Sequence, residues 1–144
     1  MSSLDVNSPC VQSYLQILQG LVTRMATNSA SAKSWCIGIV SVIIVIIADK
    51  GRSHYVWISI VPIALFFSLD AYYLGLERLF RGVYNDFIRK LHAGGATVAD
   101  VLIISPAGGR AVMWATAKAM LSFSIWPFYL LLMVMLVLVR SLIL

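Results

Sequence analysis

Lys33 and Asp70 border two long uncharged stretches at the ends far from the turn between them, Ser34 to Ala48 after the one and Tyr55 to Leu69 before the other. Folding the chain about the midpoint of Gly51 and Arg52 sets residue i opposite residue 103 − i, which brings Lys33 to Asp70. An ammonium and a carboxylate so placed form an ion pair that fixes hairpin register and lowers the cost of holding either charge at a hydrocarbon edge. The other use for the same charges is to face their symmetry mates at the mouth of an oligomeric pore. Glu77 and Arg81 stand four apart in the favourable order, with Arg78 beside them, so all three join Lys33 and Asp70 as candidate gating or ion-pair residues. Arg89, Lys90 and His92 precede Gly94-Gly95, and Gly108-Gly109 leads into Arg110. These cations and free backbone N–H groups suit an anion or partner contact, although snorkelling to lipid phosphates needs fewer assumptions. Catalysis lacks its parts. His54 and His92 have no nucleophile and carboxylate at recognisable spacing, and Cys10 and Cys36 have no paired spacing for a metal. Neither an enzyme nor a cofactor is expected.

The elements that position these residues follow from composition. The chain has 144 residues, 60% apolar and only 12% charged, where soluble domains carry roughly 25% charge. That places a single helical domain, residues 1–144, in a membrane. A third uncharged stretch, Leu121 to Val139, reaches the roughly 20 residues a spanning helix needs; the first two reach it with their apolar flanks. Val11, Leu15, Leu18, Val22 and Met25 form an apolar stripe before the first stretch, after an N-cap at Ser8 and a first-turn Pro9. One long helix over residues 9–48 is therefore expected, Asn28 being where a bend would fall. Leu76, Phe80, Val83, Phe87 and Leu91 repeat the design, so residues 55–92 should hold the second span and its amphipathic arm. The polar run Asp49 to His54 is the turn between them. Residues 93–109 read as a linker; Thr97 and Asp100 have capping-box spacing, so residues 98–104 make a short helix closed by Ser105-Pro106, or else a short strand. A third long helix over residues 110–143, kinked at Pro127, completes an all-α membrane protein of three long helices.

Eleven Lys and Arg stand against six Asp and Glu. With three spans and a cytoplasmic N-terminus, eight of those cations lie inside and three outside, so the positive-inside rule puts the N-terminus and arms in the cytoplasm and the C-terminus outside. Trp35 and Trp114 near the inner ends and Trp57 near the outer end fit interfacial anchoring. Polar groups within the spans are mild: Ser41, Ser59, Ser68, Ser122 and Ser124, with Gly38 and Pro62, serving helix packing or, in several copies, a pore lining. Three spans cannot enclose a pore alone, so conduction implies a homo-oligomer.

The run Leu69-Asp70-Ala71-Tyr72-Tyr73-Leu74-Gly75-Leu76-Glu77-Arg78-Leu79-Phe80-Arg81-Gly82-Val83-Tyr84-Asn85-Asp86-Phe87, with Arg24 to Ser29 and Pro62, resembles a family of small bacterial membrane proteins over about residues 14–92. In layout it is similar to the membrane effectors that accompany nucleotide-synthesising enzymes in antiphage systems. The resemblance implies an oligomeric inner-membrane effector or ion channel subunit of four or more chains, acting in bacterial defence. Its cytoplasmic helices would be gated by a soluble signal, a nucleotide or oligonucleotide or a defence protein. The alternative is a non-conducting anchor or scaffold that recruits a cytoplasmic partner.

Overall fold

The computed structural model describes residues 8–50, 53–101, 104 and 108–143, and all regular structure among them is helical. Helix α1, Pro9–Lys50, starts where its cap dictates: Ser8 Oγ accepts the Val11 N–H at 3.4 Å and the Ser8 carbonyl accepts the Gln12 N–H at 3.2 Å. It runs unbroken through Gly20 and Asn28, so the amphipathic arm and the apolar segment are one rod about 63 Å long at 1.5 Å per residue. Helical structure occupies both ends of the turn expected over residues 49–54. α1 continues to Lys50, and a 3₁₀-helix, Ser53–Ser59, leads into α2, Ile60–His92. Gly51 and Arg52, the predicted centre of the turn, lie outside the described residues. Pro62 falls in the first turn of α2, where a missing N–H breaks no helical bond.

α2 closes on a glycine. Gly94 takes φ +69°, the left-handed conformation that costs a glycine nothing, and Gly95 N–H and Gly94 N–H bond the carbonyls of Lys90 and Leu91 at 3.0 and 3.1 Å. This is the Schellman closure that satisfies the last carbonyls. One helical turn follows, α3 (Val98–Val101), rather than a strand; Ser105-Pro106 lies outside the described residues.

The single helix expected over residues 110–143 is two: α4, Gly109–Met120, and α5, Trp126–Ile143. Pro127 does not kink a continuous helix. Its ring would collide with the carbonyl of residue 123 in a continuing helix, and the chain breaks one turn earlier, leaving Pro127 in the first turn of α5. The Ser122 carbonyl accepts the N–H groups of Ile125 and Trp126, at 2.9 and 3.2 Å.

α1 and α2 pack as an antiparallel hairpin along their length, and α4 packs on α2. The residues α1 buries or half-buries, from Val11 through Leu18, Met25, Ala32, Cys36 and Val40 to Ile47, recur at a mean spacing of about 3.6 residues, which keeps the seam on one side of a straight helix. Two cores share this seam. One joins the arms through Val11, Tyr14, Leu18, Phe80, Phe87 and Leu91, with Ala96 and Val101 of the linker. The other joins the apolar halves through Cys36, Val40, Ile63, Ala71 and Leu74 to Ala119, Ile125, Tyr129, Leu132 and Leu136. Two helices, Pro9–Lys50 and Tyr55–His92, are long and apolar enough to cross a membrane; Trp126–Leu142 is a shorter apolar helix.

Candidate functional site

The boundary between the two cores is polar, and it is where Asp70 lies. Lys33 Nζ stands 2.6 Å from Asp70 Oδ2, in the register set by counting back from the turn. That register persists up the arms: Gln19 Nε2 donates to Tyr84 Oη at 3.2 Å, and Tyr14 meets Phe87 edge-to-face with centroids 4.8 Å apart. Ser29 Oγ donates to Asp70 Oδ1, and Lys33 Nζ donates to Ser29 Oγ at 3.4 Å. Asp70 is 0% exposed, whereas the Lys33 side chain keeps 22%. The third wall comes from α5. The Tyr129 hydroxyl is buried with Asp70 and Cys36 as its electrostatic neighbours and has no aligned hydrogen-bond partner among the described residues. Phe67 and Phe128 pack edge-to-face on its ring.

Above this knot most of the charges on α2 are held within the chain. Glu77, 9% exposed, accepts Arg81 at 2.5 Å, and Arg78 donates to Ser122 Oγ at 2.6 Å, tying α2 to the α4–α5 turn. Arg89 pairs with Asp86 one turn away. Lys90 reaches Asp100 at 2.7 Å, and Asp100 Oδ2 also accepts the Thr97 N–H and hydroxyl at 2.9 and 2.8 Å. His92 and Arg110 are exposed on separate elements. The four residues nominated for anion contact are thus not gathered into one site: Arg89 and Lys90 have internal acidic partners, and His92 and Arg110 have none among the described residues.

The candidate serines are likewise dispersed. Ser59 is buried with its Oγ unpartnered among the described residues, Ser68 returns its hydroxyl to the Ala64 carbonyl at 2.9 Å, and Ser41 is exposed. Ser122 serves Arg78 and also accepts the Ser124 N–H at 3.4 Å. Comparison with family models, curated proteins and solved structures finds no significant match. Function therefore rests on the geometry.

Chemically, the knot is a charge-neutral triad of ammonium, hydroxyl and carboxylate, with a phenol behind it. No group of three or more His, Cys, Asp or Glu able to hold a metal occurs among the described residues. Ser29 and Tyr129 are the members sequence reasoning missed. Ser29 was legible through its four-residue spacing from Lys33; Tyr129, on another element, has no arithmetic that leads to it.

The linker carries a pH-dependent clamp. Hydrogen bonds from Lys90 and Thr97 hold the Asp100 carboxyl down at about 2, and its partner Lys90 is raised above its ordinary value by the same contact. A depressed carboxyl contributes stability that is complete above its unfolded value of about 4. That contribution is lost as pH falls through about 2. Protection of the amides of residues 96–101, measured against their intrinsic exchange rate at each pH, should therefore be high at pH 7 and fall over that acid window; Asp100→Asn should show the low protection already at pH 7.

Proposed function

We propose that the chain is a homo-oligomeric bacterial inner-membrane effector or channel subunit, with a cytoplasmic N-terminus and an external C-terminus, whose cytoplasmic arms gate the spans in response to a soluble signal during defence against phage. Lys50 and Lys33 lie about 26 Å apart along α1 at 1.5 Å per residue, close to the roughly 30 Å of a hydrocarbon core. The turn then sits at one interface and the Lys33–Asp70 knot at the other. The 18 residues of α5 supply a third span of about 27 Å.

The observation that carries oligomerisation is a stripe on the outward face of α1. Thr27, Ser31, Ser34, Gly38, Ser41, Val45 and Ala48 recur at alternating intervals of four and three, and every one is exposed. Small residues at such spacing let helices approach closely in lipid, where no hydrophobic force drives them together. Within the chain, a Cβ on Gly38 would meet nothing within 4 Å. Gating is supported by the knot, since it joins arms and spans at the one level where both helices change character. The anchor reading would recruit a partner through Arg78, Arg81, Arg89 and Lys90. Three of these have internal carboxylates and the fourth holds Ser122, so the arms offer little free charge for it.

Native mass spectrometry in nanodiscs tests the reading. The expected wild-type species is a closed ring of four or more chains that conducts ions in liposomes, and Gly38→Leu is expected to shift it to monomer with helix content unchanged. A wild-type monomer or dimer, or a ring indifferent to Gly38→Leu, would overturn it.

A further inference from the structure

Charge is unevenly spent along this molecule. On the arm side of the knot, Asp70, Glu77, Asp86 and Asp100 each have a basic partner. From Val101 to Leu144 there is no Asp or Glu at all, while Arg110 and Lys118 lie on α4. Both are exposed, and neither has an acidic partner among the described residues. They stand eight residues apart with Trp114 midway, so cation, indole and cation line one face of the helix. Around them Met113 and Trp114 are each 71% exposed, and Leu121 and Phe123 over 80%. Water is a poor solvent for such a surface; a bilayer interface, apolar below and anionic above, matches both its parts.

The position of α4 agrees. Its close approach to α2 is at Gly75, five residues and about 7.5 Å beyond Asp70. With Asp70 at the hydrocarbon edge, that is the depth of the headgroup layer. Beside the cationic line, an open and almost wholly apolar groove of about 410 Å³ lies between the helices, bordered by Tyr72, Val112, Met113, Thr116, Ala117 and Met120.

We infer that the Arg110–Trp114–Lys118 face of α4 is a binding site for the phosphate headgroup of an anionic phospholipid of the inner leaflet, with the adjoining groove taking one of its acyl chains. The inference rests on the membrane placement proposed above and adds a ligand to it. Two cations near an anionic surface favour it by about fivefold each, so a preference on the order of tenfold for phosphatidylglycerol over phosphatidylcholine is expected after screening.

The test is a titration of detergent-solubilised full-length protein with each lipid, read by native mass spectrometry as the occupancy of lipid adducts. Arg110→Gln with Lys118→Gln should bring the two lipids to near-equal binding, with an unchanged circular dichroism melt because neither side chain has an acidic partner among the described residues. Arg110→Lys with Lys118→Arg should keep the preference. Equal binding of the two lipids by the wild type, or a preference that survives the double glutamine variant, overturns the inference. Alkaline carbonate extraction of the source membranes separates the two levels: a chain retained in the membrane but lacking lipid preference sinks this inference alone, whereas a chain released by carbonate sinks the placement as well.

Discussion

Lys33→Ala is expected to destabilise the protein by about 3–5 kcal/mol, and Asp70→Asn by distinctly less, about 1–2 kcal/mol. The asymmetry comes from burial. Asp70 has no exposed surface, so deleting its ammonium leaves a buried carboxylate faced by the Ser29 hydroxyl and the Tyr129 phenol, neither of which carries a compensating charge. Lys33 retains 22% of its side-chain surface; relieved of its partner, it can carry its charge outward on a flexible stem. Asparagine at position 70 still offers Ser29 an acceptor. Thermal unfolding in detergent, read by circular dichroism, gives the order of the two variants. The exchange variant, Asp70→Lys with Lys33→Asp, should recover part of what Asp70→Lys alone loses, because the pair is restored but the ammonium then occupies the closed position. If the exchange is no better than the worse single variant, the ion pair does not set the register of this hairpin.

What was legible in the sequence is what depends on period and on one fold of the chain. The stripe from Val11 to Met25 and its counterpart from Leu76 to Leu91 give the arms, and the midpoint of the turn gives the Lys33–Asp70 pair, because an antiparallel hairpin of two straight helices keeps one register along its length. Even there the stripe is slightly rotated: Tyr14 is buried and Leu15 only half-buried, since the edge-to-face contact with Phe87 uses the larger ring. Contacts made by a later element were not legible. Tyr129 reaches the knot, and Ser122 reaches Arg78, only because the last apolar segment breaks between α4 and α5. A proline at 127 announces that a helix is disturbed nearby. It does not say on which side, because the same ring that obstructs a helix interior is well placed in a first turn. The anion-contact residues show the converse error: Arg89 and Lys90 look available in a list of charges, and become occupied once Asp86 and Asp100 are placed beside them.

Gly75→Leu is expected to undock α4. A Cβ at Gly75 would lie 2.9 Å from the Thr116 nitrogen and 3.1 Å from both the Ala115 carbonyl carbon and the Thr116 Cα. All three are backbone atoms of a helix, so no side chain can swing away, and the helix itself must move. Gly75→Ala makes a sign test of the same contact. In an unobstructed helix interior, alanine in place of glycine stabilises by about 1 kcal/mol; against this backbone, overpacking of about 1–3 kcal/mol opposes it, and a net loss is expected. A melt higher than wild type would mean that α4 does not press on α2 at this point. For leucine no small shift suffices, and hydrogen exchange over residues 109–120 should rise to that of an unsupported helix, which is marginal at 12 residues. The arm core around Leu18 and Phe87 should stay protected, because it shares no side chain with this contact. The consequence for gating follows from Arg78, which binds Ser122 in the turn that α4 feeds into α5. If the arms act on the spans through that turn, Gly75→Leu separates them, and flux in liposomes should lose its response to the signal while the oligomer proposed to form through the exposed Gly38 stripe persists. Retained gating with α4 released would instead leave the continuous helices α1 and α2 as the mechanical links between arm and span.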